Sequence, residues 1–259
     1  MIALDPILDF LNICVWTSVL KNESPVSVVV VAESSSGKSA MLRKLQCPLT
    51  IFLTDVTVRD ISKVMQDRTK RIILLSDMQA IFSHKNTVVS MTSQALRNLL
   101  EEGIYNDPFS GEPVERRFGM ISAIPPDEFQ KVNRTFVSGG LNTRFLILEY
   151  AYRLQTVAKI HDSIEHGVNV RDEPLEHVLP QDAEYKVIRL PAPVAKKCRN
   201  LASEWKRENT GLRVHHQIRS LVMAVAARNG RKSATMKDYE LIESFSDFLD
   251  PRIETKVSL

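Results

Sequence analysis

SVVVVAESSSGKSAMLRKL, running from Ser27 to Leu45, joins three segments of different character. Val28 to Val31 is a run of β-branched residues, short enough for a strand covered on both faces. Ala40, Met41, Leu42 and Leu45 repeat at helical spacing. Between them lies a small polar loop ending in Gly37-Lys38-Ser39. Four residues, Glu33 to Ser36, separate that triplet from Ala32, so the pattern is G-x-x-x-x-G-K-[ST] with alanine at the first glycine. Alanine resists positive φ, so the turn must be one that does not need glycine there. The physics sits at the helix N-terminus: unpaired amides at and before Ala40 converge on an anion, and Lys38 adds a point charge. The spacing predicts that Ala32, Glu33, Ser34, Ser35, Ser36, Gly37, Lys38, Ser39 and Ala40 form a phosphate-holding loop, with the Ser39 hydroxyl on Mg2+.

Outward from this stretch, 259 residues with 44% hydrophobic and 25% charged content suit a large α/β domain and a smaller one. The opening 1–21 segment is apolar but carries Asp5, Asp9 and Asn12 and has no basic start. It reads as an amphipathic helix with Ile7, Leu8, Leu11, Val15, Val19 and Leu20 on or near one face, packing beside the nucleotide domain as a lid or support, and not as a signal peptide or membrane span. Cys14, Cys47 and Cys198 are odd in number, far apart and in no C-x-x-C arrangement, which argues against a disulfide framework or zinc site and fits a reducing, cytoplasmic setting. His215 and His216 lack companion ligands and read as surface or packing residues.

Leu49–Leu53 suits a second strand and Val58–Met65 a helix. Arg71-Ile72-Ile73-Leu74-Leu75-Ser76-Asp77 then offers four apolar residues ending in an acid, a core strand that delivers a carboxylate beside Mg2+ at its C-terminal edge. The run resembles the second signature of a P-loop ATPase, in which two adjacent acids are usual; here Ser76 takes the first place and Asp77 the second. Met91–Glu102 has helical periodicity, 103–117 reads as a hairpin or extended excursion, and Phe118–Ile124 as another core strand. Residues 125–140, bracketed by Pro125-Pro126 and Gly139-Gly140, read as loop. Arg144 stands at the mouth of a further strand, a position that asks what anion it meets. A helix is expected over Tyr150–Ile164 and an acidic linker or insertion over 166–185. Three helices follow, Ala192–Glu208, Val214–Arg228 and Met236–Phe248, with Thr235 capping the last. From Lys186 to Lys237 thirteen Lys/Arg face two acids, a local net of +11 in a chain of net +3, so this third is a candidate polyanion-binding face.

Taken in order, these features resemble the AAA+ ATPases, and within them the minichromosome maintenance-like branch and the replication ATPases of phages and integrated elements. The resemblance covers nearly the whole chain. LRNLLEEGIYNDPFSGEPVERRFGMISAIPP looks like that branch's pre-sensor hairpin leading into sensor 1, with Ser122 as the strand's polar group. GGLNTRF looks like its arginine-finger segment, and LRVHHQIRSLVMAVAARNGRKSATMKDYELI like its helical lid. The resemblance implies a three-layer αβα sandwich with a parallel core sheet over 1–165, a linker over 166–185, and a small all-helical lid over 186–259. It implies ATP and Mg2+, with Lys38 and Ser39 on phosphate and metal and Asp77 as the strand acid. Arg144 would be the finger reaching a neighbouring subunit's γ-phosphate, and Arg213 sensor 2, with Arg219 as its competitor. Expected partners are further copies in a ring or spiral and DNA, with no membrane. Two other readings stay open, a nucleotide-dependent switch with little or no hydrolysis, and a P-loop kinase.

Overall fold

The computed structural model describes residues 5–34, 36–106, 113–151, 165, 178–205 and 211–249. Five parallel strands form the central sheet: β1 (Ser27–Val31), β2 (Thr50–Leu53), β3 (Ile72–Leu75), β6 (Gly119–Ile124) and β7 (Phe145–Glu149). Their spatial order is β2-β3-β6-β1-β7. The chain therefore leaves β1 for the far edge, returns through β3 and β6, and passes over β1 to β7. Crossovers between parallel strands are right-handed, so reversing the direction of travel changes the face on which the connecting helix lands.

The two halves of the core follow that rule. Helix α2 (Lys38–Lys44) puts Met41 and Leu42, with Leu45 just beyond it, on the sheet face that carries Val28, Val30, Leu74, Ile121 and Leu146. The opposite face, with Val29, Val31, Ile73, Leu75 and Ile147, is covered by α3 (Val58–Gln66), α5 (Asn86–Arg97) and α6 (Pro126–Ser138); the four-residue α4 (Gln79–Phe82) lies between α3 and α5 in sequence. Helices on both faces make three layers. All five β1 residues are buried, as a strand sandwiched between helices requires, and each valine contributes about 1.5–3 kcal/mol of transfer free energy.

Helix α1 (Asp5–Trp16) is shorter than the 1–21 expectation, with a 3-10 turn at Thr17–Val19. It is also more central than a support at one side. Phe10, Leu11, Ile13, Cys14 and Val15 are fully buried, and α1 packs against both β1 and the long C-terminal helix. That helix, α8 (Gly211–Arg228), joins α7 (Ala192–Glu204) and α9 (Met236–Glu243) in a helical unit sharing one core with the α2 face of the sheet. Thr235 caps α9 in a reciprocal box with Asp238. The expected helix over 150–164 and most of the 166–185 linker lie outside the described residues; Tyr150 and Ala151 are not helical.

Residues 125–140 correct the sequence reading. They form α6, not a loop, because Pro126 stands at the first helical position, where a missing N–H costs nothing. Asp127 and Glu128 fill the first turn, which favours negative charge. Phe129 and Phe136, two turns apart, are buried and stack edge-on at 5.8 Å. Strands β4 (Ile104–Asn106) and β5 (Pro113–Glu115) make the expected antiparallel hairpin, whose tip lies outside the described residues. Among the described residues no helix is long and apolar enough to cross a membrane.

Candidate functional site

The loop after β1 is held from both sides. The Ala32 amide donates to the Ile124 carbonyl at 3.2 Å, extending the β1–β6 pairing by one residue, and the Ser36 amide donates to Glu33 O at 3.2 Å, closing a turn. Gly37 lies at φ +84°, a conformation costly for any side chain, and starts α2 by accepting from the Met41 amide at 2.9 Å. The glycine of Gly37-Lys38-Ser39 is thus required by the backbone. Alanine is accommodated at position 32 because that residue does not have positive φ. From the end of β7, the Tyr150 hydroxyl donates to Ser36 O at 2.9 Å and contacts Ser36 Oγ at 3.2 Å. Burial pushes the Tyr150 phenol up, so the contact persists as a neutral donor.

The Lys38 ammonium folds over its own loop, donating to Ala32 O at 2.6 Å and Glu33 O at 2.5 Å. Burial pulls its pKa down, while the Asp77 and Glu33 carboxylates act the other way. Asp77 lies two residues beyond β3, with Oδ1 accepting from the Gln79 amide at 2.9 Å. The C-terminal ends of β1 and β3, the two strands that flank β6, therefore bring a cationic loop and a carboxylate together beside the strand-order reversal, where open α/β sheets place ligands. Ser39 is exposed in the first turn of α2 and lines an open depression of about 410 Å³ with Ala40, Arg43 and Lys44. Glu33 and Ser34 are exposed; Ser35 lies outside the described residues. The Ser39 hydroxyl and Asp77 carboxylate are hard oxygen donors, a set that fits Mg2+, which takes few protein ligands and completes its shell with water and phosphate. Among the described residues no three His, Cys, Asp or Glu side chains cluster as a complete metal cage.

Ser122 is fully buried and its hydroxyl donates to Leu75 O at 3.1 Å. That bond ties β6 to β3 within the sheet. Ser76, at the place of a first acid, is half-buried and its amide donates to Leu53 O at 3.1 Å.

The three candidate arginines gather at the other end of the strands. Arg144 precedes β7, whose Phe145 pairs with Ser27 at the start of β1, whereas the loop follows the end of β1. Arg144 pairs with Glu101 and also donates to Gly140 O. Arg213, from α8, donates through Nε to Glu101 Oε1 at 2.6 Å and through Nη1 to Thr143 Oγ1 at 2.8 Å. Gln217, one turn along α8, donates to the Arg144 carbonyl at 2.9 Å. Arg219 lies 3.9 Å from Glu23, which also accepts from Ser220 Oγ at 3.1 Å. Glu23, Glu101, Arg117, Arg144, Arg213 and His216 border a cavity of about 310 Å³. Burial lowers the pKa of Arg144, with Glu101 opposing and Arg213 and Arg97 reinforcing the shift.

Sequence reasoning missed Tyr150 and Glu101. Each acts on a residue more than forty positions away, and no local pattern marks such a partner. The basic third also divides. Arg213, Arg219, Arg228 and Arg231 are paired with Glu101, Glu23, Asp9 and Asp238, and Lys206 and Arg207 lie outside the described residues. Lys186, Arg189, Lys196, Lys197, Arg199, Lys232 and Lys237 form no ion pair among the described residues. No protein-family model matches the chain, and no curated protein matches it as a relative.

Proposed function

We propose that the chain is an ATPase module of the AAA+ kind, in which α7–α9 act as the lid and each site is completed by a neighbouring copy. The observation that carries this reading is the separation of the two charged clusters. Lys38, Ser39 and Asp77 lie at the C-terminal ends of the core strands, while Arg144, Arg213 and Arg219 lie at the opposite edge. Stacked head to tail, one copy's arginine edge meets the next copy's loop edge. Such heterologous contacts generate rings or open spirals.

In this reading the loop amides and Lys38 hold the β- and γ-phosphates, and the Lys38 ammonium exchanges its bonds to Ala32 O and Glu33 O for phosphate oxygens. Ser39 and Asp77 are the residues that would hold Mg2+, whose chemistry is to neutralise charge developing on the phosphates. Arg144, and Arg213 beside it, supply donors to the γ-phosphate of the adjoining copy as charge builds on the leaving group. Asp77 is the group placed to orient water, because Ser76 supplies no second carboxylate.

Seven basic residues of the basic third, three of them on α7, form no ion pair among the described residues; they favour a phosphate-bearing partner, and we assign DNA as that partner. Phosphate release measured with Mg2+ and ATP, with and without DNA, tests the whole reading. A DNA-coupled motor is stimulated by DNA and loses activity in Lys38→Ala. A second reading, a switch that binds ATP and turns it over slowly, is favoured by Ser76 and by the commitment of the Ser122 hydroxyl to Leu75 O. It predicts ATP-dependent assembly with turnover near background, whether or not DNA is present.

A further inference from the structure

Glu101 carries two arginines from different parts of the fold. Oε2 meets Arg144, from the sheet edge, and Oε1 meets Arg213, from α8. The local charge remains positive, since Arg97 adds to Arg144 and Arg213 against Glu101 and Glu102. Arg144 is 15% exposed in its side chain, and its Nε is buried without a partner among the described residues. The 310 Å³ cavity opening onto this pair has room for a phosphate group. A carboxylate brings one negative charge in a plane; a terminal phosphate brings nearly two, with oxygens on three sides, and can meet both guanidinium forks.

Glu101 also sits on unusual backbone. Residues Asn98–Glu102, at the end of α5, form a π-helical turn closed by the Gly103 amide on Asn98 O at 2.9 Å. Such turns are rare and recur at functional sites. Gly103 follows at φ +68°, where a Cβ would fall 2.6 Å from Arg117 Cγ, so the position requires glycine. The next residue begins β4, and the Gly103 carbonyl accepts from the Arg116 amide at the root of the hairpin. Glu101 therefore lies two residues before Gly103, where a core helix gives way to the hairpin.

We propose that Glu101 is a built-in counter-anion, occupying the Arg144–Arg213 pair until the terminal phosphate of a nucleotide held by a second copy displaces it, and that its release frees the π turn and shifts the β4–β5 hairpin. The inference rests on the reading of Arg144 and Arg213 as groups that reach a neighbour's nucleotide. It adds the route by which the occupied site is reported to the hairpin. A purely structural brace makes the opposite prediction: removing the carboxylate would disorder the arginines and weaken anion binding.

The test uses the full chain carrying Lys38→Ala, so that its own loop contributes little, and inorganic tripolyphosphate as the probe. Titration calorimetry is expected to show Glu101→Gln binding about tenfold more tightly than the Lys38→Ala parent, because the competing charge is gone. Adding Arg144→Ala abolishes that gain. Hydrogen exchange over residues 98–106 is expected to be slow in the free parent, faster at saturating tripolyphosphate, and fast without ligand in Glu101→Gln. Equal or weaker binding by Glu101→Gln overturns the proposal, as does exchange over 98–106 that ignores the ligand. If Glu101→Gln does not fold, Glu101→Asp keeps the charge but cannot span both guanidiniums, and tighter binding is again required. ATP affinity of Lys38→Ala compared with the unmodified chain is read separately. Unchanged affinity there refutes the nucleotide reading of the loop, whatever the Glu101 arm shows.

Discussion

Mixing a Lys38→Ala chain with an Arg144→Ala chain is the sharpest test of a shared site. Phe145 pairs with Ser27 and the loop begins at Ala32, so Arg144 and the loop of the same chain are separated by the length of β1. At about 3.3 Å per residue that is about 17 Å along the strand. An arginine side chain reaches roughly 7 Å from its Cα on standard bond lengths. Arg144 therefore falls roughly 10 Å short of its own loop, and whatever it contributes to phosphate chemistry is contributed to another chain. Removal of an arginine finger costs about 10³–10⁵ in turnover, or about 4–7 kcal/mol of transition-state stabilisation. Each variant alone should be inactive by that order, with Arg144→Ala retaining nucleotide binding. In an equimolar mixture about one interface in four pairs an intact Lys38 with an intact Arg144, and phosphate release should recover to about a quarter of the unmodified rate. A mixture that stays at background although sizing shows mixed assemblies would refute the shared site, and so would an Arg144→Ala chain with normal turnover.

Tyr150→Phe removes the donor to Ser36 O and loosens the loop. We expect roughly tenfold weaker ATP binding by calorimetry, in line with about 0.5–1.5 kcal/mol for the loss of one hydrogen bond, and unchanged affinity would show that the anchor is dispensable. Asp238, 2% exposed, both caps α9 and pairs with Arg231. Asp238→Ala should cost about 2–3 kcal/mol in urea unfolding, below the full figure for a buried pair because Arg231 is 36% exposed, and a loss under about 0.5 kcal/mol would count against the cap. Burial raises the Cys198 thiol from its ordinary 9.0 to about 11. A raised acid favours the folded state below the unfolded pKa, so this contribution is present at pH 8 and lost as pH climbs from about 9 towards 11. Unfolding midpoints at pH 8 and 10.5 should show a fall that is smaller in Cys198→Ala; equal falls would assign the pH dependence to other groups.

The features read correctly from sequence are local ones. Val28–Val31 shows its burial in composition, because a strand covered on both faces cannot alternate apolar with polar. The Gly-Lys-Ser turn shows its geometry in its glycine, and Thr235 shows its cap through Asp238 three residues on. The α6 segment was legible too, yet its prolines and glycines point equally to a loop. They are start and stop signals, and the Phe129–Phe136 repeat between them is what settles the matter, once there is a sheet face for it to cover.

What the amino-acid sequence determined by itself was therefore a set of segments and the chemistry each could carry: a phosphate-type loop, a strand ending in Asp77, an arginine before a strand, a basic C-terminal third. How that chemistry is shared out depends on the packing of distant segments. That packing puts Arg144 and Arg213 on one carboxylate, Tyr150 on the loop, and four of the basic third's arginines into ion pairs. The physical reason is range. Helix and strand periodicities are written every two to four residues. Charge pairing depends on which strand edges and helix faces meet, and here it joins residues as far apart as Asp9 and Arg228.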